Sequence, residues 1–175
     1  MNFGASRLGF WFYPKIDISW ETSTTGLVPG YPGGWYIGNG DRSITYIVQD
    51  SQNCGGPNPN IQTGLATATF FTAGSNFNFF YNLSGKGEPE ASSFELMNLY
   101  ISGGIYDNAW LVEAHAPGGG QGCAPAENVV IDYKVTPPIL LQSNTIYQFK
   151  LDFTTFDPLY HVNAFYTCSL NFNRV

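Results

Sequence analysis

The stretch between residues 160 and 172 constrains this chain more than any other. Tyr160, Val162, Ala164, Tyr166, Cys168, Leu170 and Phe172 alternate there with His161, Asn163, Thr167, Ser169 and Asn171. A period of two sends successive side chains to opposite faces of a strand, so this segment has one apolar face and one polar face. A helix would scatter the same residues around its circumference. A strand with one face to bury needs neighbouring strands and a second layer to cover that face.

The same period recurs along the chain. Ile16, Ile18 and Trp20 share one face, with Lys15, Asp17 and Ser19 on the other. Residues 43–49 form a strand. Residues 65–72 and 76–83 read as two strands joined by a short AGSN-type turn, with Phe77, Phe79, Tyr81 and Leu83 on one face of the second. Residues 94–102 end in Tyr-Ile and run into Gly-Gly, which favours strand over a short helix. Residues 105–115 follow with Tyr106, Trp110 and Val112 on one side, and 129–135 and 145–153 complete the set. Segments 22–42, 50–64, 84–92 and 116–126 read as loops, most of them too rich in Gly and Pro for regular structure. Pro137-Pro138 and Asp157-Pro158 stop strands. No linker or repeat divides residues 1–175, so the expectation is one all-β domain. Its architecture is a two-sheet antiparallel β-sandwich of about nine or ten strands, a jelly roll, with a closed barrel as the alternative.

Charge narrows the partners. Seven Lys and Arg stand against 13 Asp and Glu, a net charge of −6. Phosphate binding needs clustered cations and none cluster, so nucleic acid is excluded as a partner. Only 11% of residues are charged while 17% are aromatic, a composition that suits strands and a packed core and excludes intrinsic disorder. No apolar run approaches the ~20 residues of a membrane span. The N-terminus lacks the basic start, long apolar stretch and small-residue site of a signal peptide, so synthesis in the cytoplasm is expected. The cysteines are Cys54, Cys123 and Cys168. An odd number is not a disulfide framework, and the spacings do not match zinc sites. Cys54 and Cys123 both lie in Gly/Pro loops that can meet at one end of a sandwich, which makes them a candidate disulfide, whereas Cys168 belongs to a core face.

Candidate chemistry is sparse. Glu88, Glu90 and Glu95 crowd the segment GKGEPEASSFE, and Glu95 and Glu113 fall on adjacent predicted strands, where they could face each other as an acid–base pair for glycoside hydrolysis. His115 and His161 are the two histidines, with Asp157 four residues before His161, but no Gly-x-Ser-x-Gly elbow or His-x-His pair accompanies them. Asp41, Asp50 and Glu88 to Glu90 offer oxygen ligands for a structural calcium without EF-hand spacing. Asn82-Leu83-Ser84 fits a glycosylation sequon that needs a secretory context. The expectation is that the protein is not an enzyme and carries no metal or cofactor.

Aromatics in loops are the more informative feature. Trp35 and Tyr36 lie in YPGGWYIGNGD, with Tyr31 close by, and the N-terminal stretch Phe10, Trp11, Phe12 and Tyr13 adds four more rings. Such rings stack on sugars or anchor protein interfaces, or fold back to cap the sandwich. Trp11, Trp20 and Trp110 fall in strands, where the core is their expected place. In its few lysines, its abundant Asn, Gly, Thr and aromatics, and its long Gly/Pro loops, the chain resembles the small structural and decoration proteins of bacteriophages and other viruses. It also resembles jelly-roll carbohydrate-binding modules. Both resemblances are compositional and rest on no motif. The first implies a structural or adhesive module in a virion, assembling as a homo-oligomer or on a larger particle. The second implies a lectin-like, extracellular module. A β-sandwich glycosidase is the third reading. Sandwich edges are normally blunted with charge, especially Lys, and only Lys15, Lys86, Lys134 and Lys150 exist to do so. Self-association through segment 22–42 and the N-terminal aromatics is therefore expected.

Overall fold

A computed structural model describes residues 16–27, 30, 32–48, 61–89, 95–118, 125–155 and 164–175. Among them are twelve strands: β1 (Trp20–Thr25), β2 (Gly34–Ile37), β3 (Ser43–Ile47), β4 (Gln62–Phe71), β5 (Phe77–Gly87), β6 (Glu95–Gly103), β7 (Tyr106–His115), β8 (Glu127–Asn128), β9 (Val130–Tyr133), β10 (Ile139–Leu141), β11 (Ile146–Thr155) and β12 (Phe165–Arg174). The count exceeds nine or ten because β8 and β10 have only two and three residues, too few to show a period. A single 3₁₀ turn, Asn39–Asp41, separates β2 from β3.

The strands form two antiparallel sheets, β1-β4-β11-β6-β7-β9 and β10-β5-β12-β3-β2, with β8 pairing onto β5. From β3 onward the eight main strands β3, β4, β5, β6, β7, β10, β11 and β12 wrap so that β3-β12-β5-β10 faces β4-β11-β6-β7. That is the winding of a jelly roll, and the sheets do not close into a barrel. Alternation fills the space between them. Tyr166, Cys168, Leu170 and Phe172 point inward from β12, as its period requires, with Ala164 buried just before it, and Ser169 and Asn171 point to solvent. Ile16, Ile18 and Trp20 are buried too, although only Trp20 is in a strand. At the centre Phe79 stacks on both Phe149 (4.7 Å) and Phe172 (5.0 Å).

Three local expectations change. First, the AGSN turn does not make a hairpin. β4 and β5 belong to opposite sheets, because Thr72 pairs with the turn before β11: its N–H donates to Thr145 O (3.0 Å) and its carbonyl accepts from Asn144 N (2.6 Å). Second, β7 does not keep one face. Leu99 pairs with Val112 and Tyr100 with Trp110, which leaves Leu111 as a bulge. The bulge flips the pattern, so Leu111 and Val112 are both buried and Trp110 points out of the sandwich instead of into the core. The freed Leu111 carbonyl accepts from Lys134 N and Val135 N, both at 3.0 Å. Third, segment 22–42 is not all loop. It contains most of β1 and all of β2, because pairing with β4 and β3 supplies what local propensity does not.

Candidate functional site

Trp35 and Tyr36 therefore sit on an edge strand and not at a loop tip. Trp35 is opposite Tyr46 and faces inward, at the open side between the sheets. Its ring meets Tyr46 edge-on (5.0 Å, 81°), and its Nε1–H donates to Ser23 O on β1 (3.2 Å). Tyr46 in turn stacks on Phe153 at 4.1 Å. Gly64 on β4 makes room for this arrangement. A Cβ there would lie 2.5 Å from Tyr46 Cε2 and 2.9 Å from Trp35 Nε1. Trp35 thus closes the seam between β1 and β2. Tyr36 and Ile37 beside it are each 47% exposed.

The four sheet edges are not alike. β9 carries Asp132, whose carboxylate accepts from Lys134 Nζ just beyond the strand. β10 directly follows Pro137 and Pro138. Charge and proline both discourage further pairing. β1 has one charged residue, Glu21, and β2 (Gly-Trp-Tyr-Ile) has none, nor any proline.

Turning Trp110 outward builds a ladder on the outer face of the first sheet. Lys150 Nζ lies over the Tyr100 ring (4.1 Å), Tyr100 stacks with Trp110 (6.3 Å, 23°), and Lys134 Nζ lies over Trp110 (4.4 Å). The Asn98 carboxamide ties the row together, accepting from Trp110 Nε1 (3.1 Å) and donating to Asp152 (2.9 Å). Burial raises the Asp152 carboxyl, while the Asn98 hydrogen bond and Lys150 pull it back down. Stacking a sugar needs a free ring face, and ammonium groups already occupy faces of both rings.

The glutamates expected to face each other do not. β6 and β7 pair Leu96 with His115 and Asn98 with Glu113, which places Glu113 on the outer face with Asn98 while Glu95 is buried inside. Opposite parity across the register separates them. Glu95 instead sits in an inward polar row with Thr155 and Gln62, which the ladder places side by side on β6, β11 and β4. Tyr166 Oη donates to Glu95 Oε2 (2.8 Å), as does Glu88 N (3.3 Å). Glu88 is buried as well. Burial, and then the charge of Glu95, hold the Tyr166 hydroxyl well above the ordinary tyrosine range. These groups brace the end of the core at which β3, β5, β7 and β11 finish.

Several candidates fall outside the described residues: Tyr31, Phe10, Trp11, Phe12, Tyr13, Cys54, Cys123, Asp50, Glu90, Asp157 and His161. Cys168 is a buried free thiol, which burial raises well above the ordinary range. His115 shares a hydrogen bond with Ala116 O (2.9 Å) through Nδ1. Among the described residues no three His, Cys, Asp or Glu converge as metal ligands, and no helix is long and apolar enough to cross a membrane.

The opposite end holds a surface that sequence reading misses. Phe71 pairs with Ile146 on the outer face, 51% and 65% exposed, and the Gly103-Gly104 turn lies against Ile146 and Tyr147, leading into Ile105, which is 77% exposed. Segments 69–76, 102–106 and 142–148 contain no Asp, Glu, Lys, Arg or His. Three short turns without a charged residue thus bring apolar side chains to one end, with Asp107 and Arg174 at its border. Gly-Gly-Ile at a hairpin turn was the available signal, since turns ordinarily carry polar residues. Compared with known proteins, the chain matches no family and no curated relative.

Proposed function

We propose that this domain is a non-catalytic structural module that assembles with its own copies or docks on a larger particle. Within that class we place it as a virion component, a capsid-decoration or tail subunit made in the cytoplasm. The observation that carries the reading is the tip formed by Phe71, Ile105 and Ile146. Large side chains so exposed, with no charge on any of the three turns, have an area to lose to a partner. Scattered single hydrophobics on a surface need no explanation, but exposed ones gathered on uncharged turns do.

The tip is small. A specific contact buries about 800 Å² per partner, more than three side chains supply. It therefore suits a subunit held by several contacts at once, where a weak site gains from linkage to others. Light scattering across the micromolar range tests the reading. The mass is expected to rise with concentration and to fall when Phe71→Asp and Ile146→Asp are combined, with circular dichroism unchanged. A monomer at every concentration, retained on a polysaccharide column, would overturn the reading in favour of a lectin-like module.

A further inference from the structure

The geometry points to a second copy of this chain as the partner of β2, joined by antiparallel strand addition about a two-fold axis through Tyr36. This rests on the assembly reading above and names one of its contacts. Paired residues in an antiparallel ladder alternate between those that exchange both backbone hydrogen bonds and those that exchange none. Gly38 N donates to Ser43 O (2.7 Å), which fixes the phase on the β2–β3 side. Tyr36 with Thr45 and Gly34 with Ile47 are then the bonded pairs. The far side of β3 agrees independently. Val48 N donates to Ala164 O (3.0 Å) and Leu170 N to Arg42 O (2.8 Å), so the even-numbered residues of β3 bond to β12 and the odd-numbered ones to β2.

It follows that Trp35 and Ile37 direct their N–H and C=O groups away from the sheet. No described strand lies beyond β2 to receive them. The two residues flank Tyr36 symmetrically, which makes the edge complementary to itself. In an antiparallel pair centred on Tyr36, Trp35 of one copy faces Ile37 of the other, and each such pair exchanges both its hydrogen bonds. Tyr36 then meets Tyr36 of the second copy in the non-bonded position, where Cα atoms approach to about 4.5 Å and side chains lie closest. Each tyrosine, now about half exposed, is covered by its twin on the outer face. The result is one continuous sheet running from β10 of one copy to β10 of the other. β9 and β10 could not do the same, guarded as they are by Asp132, Lys134, Pro137 and Pro138. The strand itself carries no charge to repel a copy.

The test is disulfide trapping in the full chain with Tyr36→Cys, mildly oxidised at concentrations where scattering shows self-association. Wild type and Leu140→Cys, on the guarded edge, are the controls for the native cysteines. Cα atoms at the predicted separation lie within disulfide reach, so Tyr36→Cys should give a covalent dimer that neither control gives. Tyr36→Lys sets two ammonium groups face to face across the axis and should weaken self-association by about tenfold or more, with the fold intact by circular dichroism. An oligomer that forms normally in Tyr36→Lys and gives no excess cross-link in Tyr36→Cys overturns the β2 pairing and leaves the assembly reading standing. A wild-type monomer at every concentration overturns the pairing too.

Discussion

Replacing Gly64 by alanine tests how the seam beside β2 is closed. Gly64 has no positive φ, so an alanine there meets no backbone strain. In a strand interior, Gly→Ala normally gains about 0.4–1 kcal/mol by restricting the unfolded chain. Here the new methyl would stand 2.5 and 2.8 Å from Tyr46 Cε2 and Cδ2 and 2.9 Å from Trp35 Nε1. Tyr46 cannot yield easily, since it is fully buried and stacked on Phe153. Trp35 is half-buried and can swing outward, but it then loses its bond to Ser23. Overpacking of this kind costs about 1–3 kcal/mol, so the net effect is a destabilisation of about 1–2 kcal/mol. For a domain of this size that lowers the midpoint of thermal unfolding by roughly 2–8 °C. Differential scanning calorimetry reads the shift, and a red-shifted tryptophan emission that Trp35→Phe removes would locate it. A Gly64→Ala protein that melts at or above wild type would refute this account of the seam.

Two further outcomes follow from the polar end and the buried phenols. Tyr166→Phe takes a donor from the buried Glu95 carboxyl and should cost about 1–3 kcal/mol in urea denaturation, and a loss below about 0.5 kcal/mol would mean that Glu95 does not depend on it. Burial first, then the neighbouring Tyr133 and Tyr106, push Tyr81 up to about 12, and Tyr46 and Tyr166 lie higher still. A folded pKa above the unfolded one gives stability that is complete below the unfolded value and lost as pH rises toward the folded value. Urea midpoints should therefore be unaffected by these tyrosines up to about pH 9 and fall steeply from about pH 10, and a flat profile to about pH 12 would contradict their burial.

What can be read from residue order alone tracks how local the cause is. β12 is legible because each of its inward residues is apolar and its outward Ser169 and Asn171 are polar, so pattern and position agree. β2 is not, because Gly34, Trp35, Tyr36 and Ile37 gain strand structure only by pairing with β3, some ten residues away, across a turn that contains Asn39 to Asp41. The place of Trp110 depends on one extra residue, Leu111, and a bulge leaves no mark in a period count. The separation of β4 from β5 depends on Thr72 finding Asn144 and Thr145, partners distant in sequence. Glu95 and Glu113 illustrate the same limit. Adjacent strands are predictable, but the face on which each glutamate lies turns on the parity of the register. At the candidate contacts, Trp35 and Tyr36 stand out by residue type, whereas the Phe71–Ile105–Ile146 tip exists only once three turns are gathered at one end.

The jelly roll itself explains why apolar surface is left in these two places and how they would act together. Its winding finishes β3, β5, β7 and β11 at one end and leaves tight turns at the other. Tight turns have few side chains with which to cover Phe71, Ile105 and Ile146. It also ends the second sheet on β2, beyond which no described strand lies, while β9 carries charge and β10 follows two prolines. A contact about a two-fold axis saturates after one partner, since both copies use the same patch. A tip lying off that axis does not close in the same way. If both proposed contacts form, each dimer would present paired tips, and two weak tips on one rigid body would dock on a repeating surface far better than one, because the second would engage at the high effective concentration set by the first. That coupling makes a separable forecast. Tyr36→Lys should weaken docking through the tips without altering the tips themselves, whereas Ile146→Asp should abolish docking and leave the Tyr36→Cys cross-link intact.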